Sequence, residues 1–126
     1  MAFFVERERT SSTPYTLVDE SKGYMRLEGK CFHERVAFLF RDVNEFLAEY
    51  LAGDFGLFVF DCAIDYFNSS TTKLLHNMLM QMDKYSVGGN KVVINWLTTH
   101  DNDIMIECGE DFKEDIHNLE FNLVIK

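Results

Sequence analysis

Proline is nearly absent: Pro14 is the only one in 126 residues. No Pro-rich or Gly/Ser-rich tract and no internal repeat marks a linker, so one domain spanning residues 1–126 is expected. Cysteine is scarce as well. Cys31, Cys62 and Cys108 are odd in number and far apart, and no C-x-x-C or Cys/His pair has zinc spacing. Each reads as a small buried residue of a reducing compartment. Basic residues are outnumbered, with 12 Lys and Arg against 21 Asp and Glu and a net charge of −9. That deficit argues against nucleic acid and against anionic membrane surfaces as partners, because both demand surplus cations. It favours basic patches on other proteins. No apolar run is long enough for a signal peptide or a membrane span, which makes the cytoplasm the expected location.

Catalytic signatures are missing too. His33, His76, His100 and His117 form no H-x-x-x-H or H-E-x-x-H pair, and there is neither a G-x-S-x-G elbow nor a G-K-[ST] phosphate loop. The acidic tract Asp101, Asp103, Glu107, Glu110, Asp111 lacks the glycine and terminal glutamate of a calcium loop, and Asp101 and Asp103 suit a helix start electrostatically. No catalytic residue, metal or cofactor is expected.

What the chain does have is apolar surface: 47 % hydrophobic residues, among them twelve Phe. A disordered chain does not carry this load. In order, residues 1–8 suggest a short edge strand or arm. Tyr15–Asp19 and Tyr24–Glu28 read as a hairpin that Gly29 ends. A helix is expected from Glu34 to Leu51, on the stripe Val36, Leu39, Phe40, Val43, Phe46, Leu47, Tyr50 and Leu51. The run from Phe55 to Ile64 reads as a strand buried on both faces. A second helix over 69–85 follows, with Leu74, Leu75, Met78, Leu79 and Met82 at helical spacing. Then come a strand over 91–97, a third helix over 101–112 with Ile104, Met105 and Cys108 inward, and a terminal strand over 119–125. The order β-β-α-β-α-β-α-β implies an α/β fold with a mixed sheet of about five strands, parallel where helices intervene and antiparallel at the hairpin.

The junction between the central strand and the second helix is the candidate site. Asn68 is an N-cap residue, and Ser69, Ser70, Thr71 and Thr72 follow it. Capping alone accounts for one of them, at about 1 kcal/mol, and leaves the excess of hydroxyls unexplained. A covalent phosphate at this position meets a helix's positive end favourably. Trp96, alone at the end of a strand, is ordinarily core packing. If half-exposed it would be a partner contact instead. A small-molecule or nucleotide-binding domain using the same helix N-terminus stays open as an alternative, and so does an enzyme built on His76 or the acidic helix.

The junction Tyr66-Phe67-Asn68-Ser69-Ser70-Thr71-Thr72-Lys73 resembles the Y-x-N-T-S-S-x-K signature of the SiaC-type regulatory phosphoprotein family, related in fold to the STAS domains of anti-sigma-factor antagonists. Gly29-Lys30-Cys31-Phe32-His33-Glu34 is similar to that family's G-x-S-x-x-E helix entry. Asn95-Trp96 and Glu107-Cys108-Gly109-Glu110-Asp111-Phe112 match its later motifs in order. The resemblance runs from Ser12 to the C-terminus. It implies a STAS-like, non-enzymatic bacterial switch protein, phosphorylated by a dedicated kinase and dephosphorylated by a PP2C-type phosphatase. Its implied partner is a diguanylate cyclase whose activation raises cyclic di-GMP and promotes biofilm. By position it makes Ser69 the phosphoacceptor, with Ser70 and Thr71 as adjacent contacts; Asn68, from the cap, and Trp96, from the strand end, complete the candidate phosphate or partner contacts. Ser69 stands where the family pattern has Thr, and Thr71 where it has Ser.

Overall fold

The computed structural model describes residues 2–32 and 35–126. His33 and the expected helix start at Glu34 lie outside the described residues. Six strands form one sheet in sequential order: β1 Phe4–Arg7, β2 Tyr15–Asp19, β3 Tyr24–Cys31, β4 Leu57–Phe67, β5 Lys91–Thr98 and β6 Glu120–Ile125. β2 is antiparallel to both β1 and β3, and β3 through β6 run parallel. Helices α1 Val36–Tyr50, α2 Ser69–Tyr85 and α3 Asp103–Asp115 make the three crossovers. This is the mixed α/β sheet expected, with β1 as a sixth strand.

Every crossover steps to the next strand in the same direction. Right-handed connections of that kind stack all the helices on one face of the sheet. The inward row of β4, Phe58, Phe60, Cys62 and Ile64, is therefore at most 2 % exposed, while Val59, Asp61 and Ala63 lie half-buried on the bare face. The expectation that this strand is buried on both faces is wrong. Val59 and Ala63 are apolar residues on the uncovered side, and they disguise the alternation. Burying each inward Phe stabilises the fold by about 1.5–3 kcal/mol. The bare face is instead crossed by a hydrogen-bonded chain. Tyr24 donates to Asp61 at 2.7 Å, Asn95 to Asp61 at 2.8 Å, and Asn122 to Asn95 at 3.0 Å, which ties β3 to β6.

Gly29 does not end the hairpin. β3 continues to Cys31, and the register with β4 slips between Gly29 and Lys30, so that Gly29 faces Ile64 but Lys30 faces Tyr66. Asp65 is the extra residue of this β-bulge, and Gly29 supplies the backbone at φ +110° that a side chain would strain. The bulge reverses the inward parity of β4. Even-numbered residues point at the helices up to Ile64, yet the next inward residue is Phe67, 8 % exposed, with Asp65 and Tyr66 both turned to solvent.

Two packing details depart from the sequence reading. Trp96 is 1 % exposed, donates from its indole N–H to the Met105 carbonyl at 2.9 Å, and packs edge-on against Phe67 and Phe112. It is a core residue, which runs against the half-exposed position that a partner contact requires. α3 rests on it through Gly109, where a Cβ would fall 2.6 Å from the indole Cδ1. The inward residues of α3 are accordingly Met105, Gly109 and Phe112, while Ile104 is 69 % exposed. At the other end of α2, the buried carboxylate of Asp83 accepts from the backbone amides of His117, Asn118 and Leu119 at 2.7–3.2 Å, fastening the start of β6.

Candidate functional site

The site is assembled where β4 hands over to α2. Because the bulge turns Phe67 into the core, the next residue emerges at the sheet's carboxyl edge with extended backbone, φ −87° and ψ 175°. That is the geometry of an N-cap. Asn68 Oδ1 accepts from the Thr71 amide at 3.0 Å, and its carbonyl accepts both the Thr72 amide and the Thr72 hydroxyl at 3.0 Å. Its side-chain amide donates to the Phe32 carbonyl at 3.4 Å, linking the cap to the end of β3. A second asparagine works in parallel. Asn102 caps α3 by accepting from the Met105 amide at 3.2 Å and donates to the Asp65 carbonyl at 3.0 Å, so the bulge is held from both sides.

The four hydroxyls have separate fates. Ser69 and Ser70, at the first two positions of α2, are exposed. Thr71 is 3 % exposed, with its side chain in the core. Helical periodicity carries the third residue of this turn inward, so Thr71 is no exposed contact and meets the surface only as part of the lining of the cavity between α1 and α2. Thr72 is back-bonded to Asn68. A phosphate on either serine would leave the cap intact, because neither hydroxyl makes a capping bond. Lys73 is exposed one turn beyond Ser69, and Lys30 approaches Asp65 at 3.5 Å.

Among these charges two aromatic rings are exposed. Phe32 is 39 % and Tyr66 45 % exposed, and their rings meet edge-on with centroids 5.5 Å apart. A cavity of about 210 Å³ opens between the first turns of α1 and α2, lined by Phe32, Val36, Asn68, Ser70 and Leu74 among others. Ligand pockets usually run from about 300 to 1,000 Å³, so this cavity suits one apolar side chain better than a nucleotide. In the sequence Phe32 and Tyr66 stand only as members of the two motifs, with nothing to mark them as exposed. The exposure of Tyr66 depends on the bulge, which has no local sequence signature beyond Gly29, while Phe32 follows the inward Cys31 at the end of β3.

Among the described residues nothing here builds acid–base or nucleophilic chemistry. His76 shares a hydrogen bond with Asp115 at 3.0 Å and lies beside Phe112, on the helical layer and away from the serines. Burial pushes the thiols of Cys31 and Cys62 up to about 12 and that of Cys108 to about 11, so none is a poised nucleophile. Asp101, whose carboxylate is held below its ordinary range by the Thr99 hydroxyl, belongs to the turn leading into α3. Among the described residues no three His, Cys, Asp or Glu side chains converge to hold a metal ion, and no helix is long and apolar enough to cross a membrane.

The family described as SiaC family regulatory phosphoprotein matches residues 7–126. An uncharacterised protein of Pseudomonas aeruginosa strain UCBPP-PA14 is 27 % identical over 106 residues, 84 % of each chain. SiaC of Pseudomonas aeruginosa superposes with a TM-score of 0.87 at 24 % identity, covering 98 % of this chain and 99 % of that one. A chain in the crystal structure of the diguanylate cyclase SiaD in complex with its activator SiaC, from the same organism, gives 0.88 at 24 % identity over 97 % and 99 %. At such identity the structures speak for the fold, which they share from end to end. The near-complete family match settles membership: this chain belongs to the SiaC family of regulatory phosphoproteins.

Proposed function

We propose that this protein is a non-catalytic cytoplasmic switch in which phosphorylation of Ser69 controls docking of a protein partner. The partner class that the family suggests is a diguanylate cyclase, since the SiaC of Pseudomonas aeruginosa is the activator of one. A dedicated kinase and a PP2C-type phosphatase would set the phosphorylation level, and the output would be the cyclic di-GMP level that governs biofilm. The observation that carries the reading is the exposed Ser69 hydroxyl on a helix start already capped by Asn68, beside the exposed Phe32–Tyr66 pair. A dianion placed there leaves the fold undisturbed. It does oppose burial of the adjoining apolar surface, because the phosphate must be desolvated before a partner can close over it. Asn68 and Ser70 are the neighbouring contacts in this scheme.

The test is phosphopeptide mapping of protein isolated from its host, paired with affinity measurements on variants against the host's diguanylate cyclase. Ser69→Ala should bind as the unmodified protein does. Ser69→Asp should lose about a hundredfold, equivalent to about 2.7 kcal/mol. Equal affinities of the two variants would overturn the proposal, and a phosphate mapped to Ser70 would overturn the choice of Ser69.

A further inference from the structure

We propose that the groove between β1 and α1 is a second docking surface, shaped for a basic amphipathic helix of another protein. The helical layer stops short of the sheet edge. Val5 pairs with Val18, which is fully buried on the helix-covered face, so the row of Phe3, Val5 and Arg7 also points toward that layer. α1 meets this row at Phe3, and Val5 is left only half-buried. Phe3 stacks on Phe46 of α1 at 4.5 Å, and a groove of about 700 Å³ runs between strand and helix.

Its chemistry selects an occupant. The floor is apolar, from Phe3, Val5, Leu39 and Val43, while Asp42, Glu45 and Glu49 follow one another at helical spacing along the α1 wall. Glu20 adds a fourth carboxylate, and among the described lining residues Arg7 is the one cation. Among the described residues Asp42 has only its neighbour Arg41, at 3.7 Å, and Glu45 and Glu49 have no ion-pair partner. A strand added to the edge of β1 would extend the sheet and leave the groove in the helical layer unfilled. A helix laid beside α1 fills it, setting its apolar stripe on the floor and basic residues three and four apart against the acidic row. A second copy of this chain, itself at −9, would bring carboxylates to carboxylates. None of the groove residues lines the cavity beside Asn68, so this surface is distinct from the serine-bearing one.

The probe is a synthetic peptide of about 18 residues with leucines at helical spacing and lysines flanking them. Binding is read by fluorescence anisotropy and by amide chemical shifts of the isotopically labelled full chain. Expected are shift changes concentrated in residues 3–7 and 39–49. Asp42→Asn with Glu49→Gln should raise Kd at least about tenfold, and the charge-matched pair Glu107→Gln with Glu114→Gln on α3 should change it less than about twofold. Equal weakening by both pairs, or shifts scattered over the acidic surface, would overturn the proposal as mere charge attraction. Tighter binding of an extended alternating valine–lysine peptide would overturn the helical occupant. Concentration-dependent shifts at the same residues without peptide would overturn the foreign partner in favour of a second copy.

Discussion

Replacing Ser69 by aspartate tests whether the switch leaves the fold alone. Ser69 is the first residue of α2 and is exposed, so an added carboxylate meets the helix's positive end, worth about 0.3–1 kcal/mol. It also stands four residues before the exposed Lys73, an acid-to-base spacing worth about 0.2–0.5 kcal/mol. Nothing is lost in exchange, because the capping bond belongs to Asn68 and the Thr71 amide. The expected result is a gain of about 0.5–1.5 kcal/mol, or roughly 2–8 °C in Tm for a chain of this size. Urea unfolding followed by the fluorescence of the buried Trp96 reads it directly. The helix end lowers the folded pKa of the new carboxyl. The gain is therefore full above the unfolded value of about 3.9 and is lost as pH falls through the folded one. It should also shrink in about 1 M salt. A variant less stable than the parent by more than about 1 kcal/mol would refute the reasoning. Any loss of partner binding would then report damage to the fold.

Two further outcomes follow from buried groups. Asp83→Ala strips the acceptor from three backbone amides in a site 7 % exposed and should cost about 3–5 kcal/mol in urea unfolding, with Asp83→Asn losing less because one oxygen remains. A cost below about 1 kcal/mol for the alanine variant would show that water replaces the carboxylate freely. The thiols of Cys31 and Cys62, raised by burial to about 12, should resist labelling by a disulfide reagent at pH 8 until the protein unfolds. Their folded values exceed the ordinary one near 9, so the stability they contribute is present below pH 9 and is lost as pH rises toward 12. Rapid labelling of the native protein would contradict their burial.

Much of this was legible from local chemistry. The second helix was placed at its observed bounds because Asn68 and the hydroxyl run mark its start and the apolar stripe its face. Strand β5 was found from its β-branched residues. The misreadings share one cause. The double burial assigned to β4, the surface role given to Trp96 and the inward position given to Ile104 each depended on what lies across a contact, which periodicity does not encode. Trp96 at a strand end looked available, but Gly109 lets α3 settle directly onto it. Ile104 looked inward until the face of α3 was set by Met105, Gly109 and Phe112.

The sequence by itself determined the elements, their order, the cap at Asn68 and the family, because capping, periodicity and motif are properties of neighbouring residues. Tertiary structure alone decided how the hydroxyl run is presented and which aromatic rings stand beside it. A bulge at Asp65, opposite Gly29 on the next strand, reverses the parity of β4, and that reversal buries Phe67, exposes Tyr66 and aims the start of α2 so that Ser69 and Ser70 face solvent while Thr71 turns inward. Strand pairing between residues more than thirty positions apart sets that parity, and no local window of sequence contains it.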